Sequence, residues 1–181
     1  MLLSIVIPAY CRPDELRLAL DTFVRQIHGR HSDRVELIVV DDASPDHSLD
    51  WVAGYAEKYA FLQYRRLARN IGLEKNLLAS SDGASGEFLW IFGDDDFLET
   101  DDAMDDIIAR LERDDVDMLV LNRSRRDRNL TNLLTPNWME VGGPSRRYQG
   151  LREFCLCFGY LSVIGFISVN IFRREPFKAI D

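Results

Sequence analysis

Three adjacent carboxylates, Asp94-Asp95-Asp96, follow Gly93 at the end of the apolar run Phe88-Leu89-Trp90-Ile91-Phe92. In an extended backbone, side chains at i and i+2 project to one face, so Asp94 and Asp96 are expected to point together. Two hard carboxylates at that spacing suit Mg²⁺ or Mn²⁺, which fills the rest of its shell with water and substrate phosphates. The plain alternative is a solvated acidic turn, and the apolar strand leading into it favours the cation. A second pair, Asp41-Asp42, ends the run Glu36-Leu37-Ile38-Val39-Val40. A carboxylate there can accept from a nucleobase N–H or a ribose hydroxyl, or cap the turn at Ser44-Pro45; the two roles are compatible. Pro8-Ala9-Tyr10 ends the first apolar run, either as a wall beside a base or as a strand terminator. Lys75 and Arg69, around Asn70 and Gly72, are cations for a diphosphate or exposed charges at a helix start.

The neighbouring acids belong to a helix start and a turn. Asp101, Asp102, Asp105 and Asp106 fall where a helix begins, with Thr100 as its expected N-cap, and a helix N-terminus favours negative charge. Asp114, Asp115 and Asp117 lie in the turn that leaves it. No phosphate loop G-x-x-x-x-G-K-[ST], no G-x-G-x-x-G turn and no G-x-S-x-G elbow is present. A nucleotide bound here would have its phosphates held through a metal rather than in a glycine cradle.

The elements that must position these residues alternate. Apolar runs at 2–7, 36–40, 61–66, 87–92 and 118–121 read as strands. Helical spacing appears in Leu16, Leu20, Phe23 and Ile27, in Leu49, Val52, Ala53 and Ala56, in 72–81 with Leu77 and Leu78 as anchors, and in Met104, Ile107, Ile108 and Leu111. That order predicts an α/β fold with a mostly parallel sheet flanked by helices, and ligands in such sheets bind at strand carboxyl ends. Both aspartate clusters sit at such ends. Residues 1–121 form the α/β core of this reading. Residues 122–181 form a loop-rich basic segment of the same domain, with Arg123, Arg125, Arg126, Arg128, Arg146 and Arg147, followed by an apolar helix and strand.

The chain has 181 residues and a net charge of −8, a size at which one domain is the default. Residues 94–117 hold twelve acids and two arginines, a net of −10 that leaves +2 on the rest. That balance argues against a nucleic-acid partner. Cys11, Cys155 and Cys157, an odd count at spacings that fit no zinc site, point to reduced thiols in the cytoplasm. Phe154 to Phe172 carries no charge over nineteen residues. Its Gly159, Gly165 and Asn170 favour a buried helix and strand over a membrane span, while leaving room for peripheral contact with the inner face of a membrane.

Ser4-Ile5-Val6-Ile7-Pro8-Ala9-Tyr10, Val39-Val40-Asp41-Asp42-Ala43-Ser44, Asn70-x-Gly72 and Gly86 through Asp96 together resemble a family 2 glycosyltransferase of the GT-A fold. The Leu-Trp-Ile-Phe-Gly-Asp-Asp-Asp version is similar to the abequosyltransferase-like branch, which adds a deoxysugar to a lipid-linked O-antigen unit. The resemblance implies a nucleoside-diphosphate-sugar donor and a saccharide or lipid-linked acceptor in polysaccharide biosynthesis. It places Pro8, Ala9 and Tyr10 in the base pocket, Asp42 with Asp41 on the base, Lys75 at the diphosphate, and Asp95 near the ribose or metal. Asp94 and Asp96 become the D-x-D metal pair. It also implies a general-base carboxylate in a downstream segment. The chain ends at Asp181 before that segment is evident, so the base is expected beyond Asp181, which is itself a poor candidate, and the chain reads as the donor-binding part of a longer enzyme or as a short homologue. The competing readings are a GT-A scaffold without catalysis, a receiver domain and a haloacid-dehalogenase-type phosphatase. The last two carry their acidic motif on or just after the first strand, whereas here a strand-helix unit precedes Asp41 and Asp94 follows the fourth strand.

Overall fold

The computed structural model describes residues 1–127, 130–141, 143, 145–159 and 165–175. Strands β1 (Leu3–Ala9) and β2 (Val35–Asp41) are buried along their whole length. Runs without polar alternation form strands covered on both faces, the normal state of a parallel sheet between helices. Ser4 and Glu36, polar residues inside these strands, satisfy each other. Ser4 Oγ donates to Glu36 Oε1 at 2.5 Å, and Ser85 donates to the same oxygen from its N–H at 2.6 Å and its hydroxyl at 2.9 Å.

With β3 (Leu62–Arg66), β4 (Phe88–Ile91), β5 (Met118–Val120) and β8 (Asn170–Arg173), the sheet order is β3-β2-β1-β4-β8-β5. The β1–β2, β2–β3 and β1–β4 pairs are parallel, and β8 runs antiparallel to β4 with Phe172 opposite Leu89. The chain builds outward from β1 through β2 to β3, then returns to the other side of β1 for β4. The order therefore reverses between β1 and β4, which opens a crevice at the carboxyl ends of those strands.

Helix α1 (Pro13–Ile27) buries Leu16, Leu20, Phe23 and Ile27 as their spacing predicts. The Phe23 ring meets Trp90 and Phe92 edge-on, at centroid distances of 5.7 and 4.8 Å, which locks the helix over the β4 end. Helices α2 (Val52–Lys58), α3 (Leu73–Ser81) and α4 (Ala103–Arg113) follow in order. Three local expectations are corrected. Leu78 is 61% exposed, because α3 lays Asn76, Ser80 and Ser81 on the sheet, and of the two expected anchors only Leu77 packs against the core. Asn76 Nδ2 donates to the Val40 carbonyl, and the Ser80 hydroxyl to the Asn76 carbonyl, so a polar helix face is satisfied in the interior. Ala53 is exposed, because α2 starts only at Val52 and Leu49 packs from the preceding turn. The residue before α4 is Asp102, not Thr100, and its side chain makes no cap. Gln26 of α1 takes that role by donating to the Thr100 carbonyl and accepting from the Met104 N–H.

The chain divides into two compact units, Met1–Leu119 with Ile171–Asp181, and Val120–Asn170. The second contains a short hairpin, β6 (Arg125–Arg126) and β7 (Leu133–Thr135), within the stretch expected to be loop, and helix α5 (Leu151–Phe158). Its core is Met139 and Phe154, packed with Val120, Val141, Tyr148 and Phe158. The expected buried helix is only partly so: Phe154 faces inward while Leu156 is 75% exposed. The middle of the apolar run, residues 160–164, lies outside the described residues, as do Arg128 and Asp181. No helix among the described residues is long and apolar enough to cross a membrane, and the three cysteines are free.

Candidate functional site

A cavity of about 360 Å³ opens in the first unit, lined by Pro8, Ala9, Tyr10 and Arg12 after β1, Asp42 after β2, Asn70, Gly72, Leu73 and Asn76 around the start of α3, and Asp94 after β4. It sits at the strand-order reversal. Of the expected residues, the structure brings Pro8, Ala9, Tyr10, Asp42 and Asp94 to this cavity. Asp41, Lys75, Asp95 and Asp96 are not in its lining.

The loops that build the cavity wall are stitched together. The Asp42 N–H donates to the Ala9 carbonyl, and the Cys11 N–H donates to the Ser44 hydroxyl at 3.0 Å. Cys11 and Ala43 adopt φ of +58° and +56°, left-handed conformations that these residue types rarely hold. Such strain persists only where the surroundings over-determine it, and it clusters at functional loops. Gly72, with φ of +84°, turns the chain into α3. That turn lets the Ile71 and Gly72 N–H groups donate to the two Asp42 oxygens at 2.8 and 3.0 Å. Asp42 thus fixes the α3 loop while it lines the cavity.

Asp41 has a different environment. It is fully buried, and its Oδ1 accepts from the Ser44 N–H and hydroxyl at 2.8 and 2.6 Å. Its Oδ2 accepts from Tyr64 at 3.1 Å and from Arg66 Nη1 at 2.6 Å. Burial and the Asp41 charge together push the Tyr64 phenol up to about 12, so it remains a donor at every working pH. Asp41 therefore anchors the β2 carboxyl end through local bonds to β3 and the Ser44 turn.

Backbone geometry at Asp94-Asp95-Asp96 departs from the extended form that pairs Asp94 with Asp96. Strand β4 ends at Ile91, and Asp94-Asp95 form a turn closed by the Asp96 N–H on the Gly93 carbonyl. Consequently it is the adjacent pair that shares a cation. Arg12 Nη1 lies 2.8 Å from Asp94 Oδ1 and 2.9 Å from Asp95 Oδ2. The guanidinium offsets the repulsion that three consecutive anions impose. The other Asp94 oxygen accepts from the Tyr10 N–H at 3.2 Å. Asp94 is only 7% exposed, and burial raises its pKa against the opposing pull of that N–H and of Arg12. Arg12 is a site residue that the motifs do not single out. Its one signal in the sequence is its place, two residues beyond Tyr10 at the end of the first strand.

The oxygen-only donors at the cavity edge fit a hard divalent cation. Mg²⁺ commonly takes one or two protein carboxylates and leaves its other positions to water and phosphate. Asp94 would offer one that is held in place, and Asp95 a second on the same turn. Among the described residues no three His, Cys, Asp or Glu side chains gather closely enough to cage an ion unaided, so the remaining ligands would come from the bound molecule.

A largely parallel sheet with a carboxylate-lined cavity at its switch point is the construction of a nucleotide-binding α/β domain. The family model Glycosyl transferase family 2 matches residues 4–180, and the chain belongs to that family. It is 28% identical to abequosyltransferase RfbV of Salmonella typhimurium over its whole length, covering 55% of that protein. The structure superposes on residues 1–349 of TarS from S. aureus with a TM-score of 0.70 at 22% identity, covering 98% of this chain and 48% of that one. The mannosyltransferase PcManGT of Pyrobaculum calidifontis, solved with GDP-Man and Mn²⁺, gives 0.57 at 23% identity over 67% of this chain and 35% of its own. The fold is thus GT-A, and the receiver-domain and phosphatase readings fall with that result. The chain spans about half the length of RfbV and of TarS 1–349.

Proposed function

We propose that this chain is the donor-binding part of a glycosyltransferase that moves a sugar from a nucleoside diphosphate to a saccharide or lipid-linked acceptor during cell-surface polysaccharide assembly. The observation that carries the reading is the cavity at the β1/β4 switch point, walled by Tyr10 and Asp42 on one side and Asp94 on the other. Ala9 and Tyr10 flank the base, and Asp42, already oriented by the α3 loop, accepts from the base or ribose. Lys75, on the exposed side of the first α3 turn, draws the diphosphate by charge. Asp94 and its neighbours Asp95 and Asp96 hold Mg²⁺ or Mn²⁺, which when bound acts as a Lewis acid toward the departing diphosphate. Asp41 contributes at one remove, by fixing the β2 end from which Asp42 projects.

The unit Val120–Asn170 fits the acceptor role. It has seven arginines against three acids, a net of +4, while the remainder of the chain has 15 basic and 27 acidic side chains, or −12. A cationic unit of this kind attracts the phosphates of a lipid-linked acceptor and the anionic inner face of a membrane. The closeness to an abequosyltransferase supports an O-antigen acceptor and a deoxysugar donor.

The test is a melting-temperature series with Mn²⁺ and each of UDP, GDP, CDP and dTDP. A ligand at about 100 times its Kd stabilises the folded state by about 2.7 kcal/mol. One nucleotide is expected to raise Tm only with Mn²⁺ present, and EDTA to reverse the rise. If none of the four moves Tm with the metal, the donor-site reading fails. Sugar transfer by the full-length protein to a lipid-linked acceptor then separates an enzyme from a binding scaffold.

A further inference from the structure

Arg12 is placed to do more than neutralise its neighbours. Its backbone is held at both ends: the Cys11 N–H is bonded to Ser44, and Pro13 opens α1 with the Leu16 N–H on the Arg12 carbonyl. Its side chain is about half exposed and lines the same cavity as Tyr10, Asp42 and Asn70. One nitrogen, Nη1, contacts both Asp94 and Asp95. A guanidinium and a divalent cation compete for these carboxylate oxygens, since two positive charges held this close repel each other. Diphosphate oxygens offer a guanidinium a partner at least as good as a carboxylate, in the bidentate geometry Arg favours.

We propose that Arg12 is a displaceable internal cation of the donor site, paired with Asp94 and Asp95 when the site is empty and transferred to the diphosphate when a nucleotide and its metal enter. The inference rests on the donor-site reading and deepens it. With Arg12 in place, a free metal ion competes for Asp94 with no compensation for the guanidinium it displaces. A diphosphate supplies that compensation, so each ligand strengthens the other, and the coupling is reciprocal.

Titration calorimetry with Mn²⁺ alone, with the nucleoside diphosphate alone and with both measures this directly, without reference to catalysis. In the wild type, Mn²⁺ is expected to bind weakly alone and at least tenfold more tightly with the nucleotide, within the usual range of coupling. In Arg12→Ala, Mn²⁺ alone is expected to bind about tenfold more tightly than in the wild type, while the nucleotide in saturating Mn²⁺ binds about tenfold more weakly. Arg12→Met, which keeps the length of the side chain, separates loss of charge from loss of packing and is expected to behave alike. Arg17→Ala, whose guanidinium instead lies over the Trp51 ring, controls for net charge and is expected to change neither affinity. If Arg12→Ala and Arg12→Met leave Mn²⁺ affinity unchanged or weaken it, the proposal is overturned while nucleotide binding still supports the donor site. If the wild type binds none of the four nucleotides with Mn²⁺, the donor-site reading fails and this proposal with it.

Discussion

At the scale of single residues, the two carboxylates Asp41 and Asp42 have neighbouring sequence positions and different work. The Asp41 oxygens are engaged by Ser44, Tyr64 and Arg66, in a place with no exposure. Removing one partner of a buried ionic network leaves the others unsatisfied at a cost of several kcal/mol. Asp41→Ala is therefore expected to lower unfolding free energy by about 3 kcal/mol, read by urea denaturation. A change below about 0.5 kcal/mol with loss of nucleotide binding would make Asp41 a ligand residue instead. Asp94 has the opposite balance. Its folded pKa is raised by burial, so at neutral pH the unfolded state holds the charge more comfortably and the ionised group weakens the fold. As pH falls through the raised value, the native state takes up the proton first and the penalty fades, ending at the unfolded value. Asp94→Asn is thus expected to raise Tm at pH 7, with the gain shrinking on acidification, while nucleotide affinity with Mn²⁺ falls at least tenfold. A site residue that costs stability is the pattern expected of function.

The elements are joined by polar contacts that hydrophobic periodicity does not announce. Gly86, just ahead of β4, is one such point. A Cβ built there would lie 2.6 Å from the Ser4 N and 2.7 Å from its hydroxyl, the latter held by the Ser4–Glu36–Ser85 network. Gly86→Ala must push β1 from the β4 entry and is expected to cost about 2–3 kcal/mol, in the range of overpacked cores, measured by urea unfolding. A second link is the His31–Asp105 bond, 2.6 Å, between the turn after α1 and the first turn of α4. Burial, with Arg34 and Arg30 alongside, holds the imidazole below its usual value, against the weaker opposing pull of Asp33 and Glu112. The unfolded chain therefore binds the proton first as pH drops below about 6.5, and stability declines from there until the folded value is passed. His31→Gln is expected to flatten Tm against pH between about 5 and 7. An unchanged slope would place the titrating group elsewhere.

For the whole molecule, charge placement matters more than its sum. The −12 borne outside Val120–Asn170 includes the twelve acids of residues 94–117, and only part of it is offset by ion pairs such as Arg25–Asp101 and Arg34–Glu112. Self-repulsion of this size weakens a compact state and is screened by salt. Raising NaCl from about 20 to 300 mM, which shortens the Debye length from roughly 20 to 6 Å, is expected to raise Tm by a few degrees. A flat response would mean that local pairing already balances the field. The +4 unit concentrates exposed apolar side chains as well: Leu130, Leu133, Leu134, Trp138, Leu151, Leu156 and Ile167 are seven of the twelve such large residues among those described.

Local chemistry was legible in the sequence to the extent that it is periodic or terminal. The apolar runs at β1, β2 and β4 could only be buried strands, and the α1 spacing could only be one helix face. Acids at the ends of such strands had to meet at one edge of a parallel sheet. The resemblance of those motifs to a family reached the same fold. What tertiary structure decided is which partner each polar group takes. Asp94 was expected beside Asp96, but a turn and the guanidinium of Arg12, 82 positions away, pair it with Asp95 instead. Asp41 turned to Arg66 and Tyr64 of β3 while Asp42 turned to the cavity and the α3 loop, and Gln26 capped α4 in place of Thr100. Hydrophobic burial depends on pattern, which is written along the chain. Hydrogen bonds and ion pairs depend on distance and direction between groups far apart in sequence, and those exist only once the chain has folded.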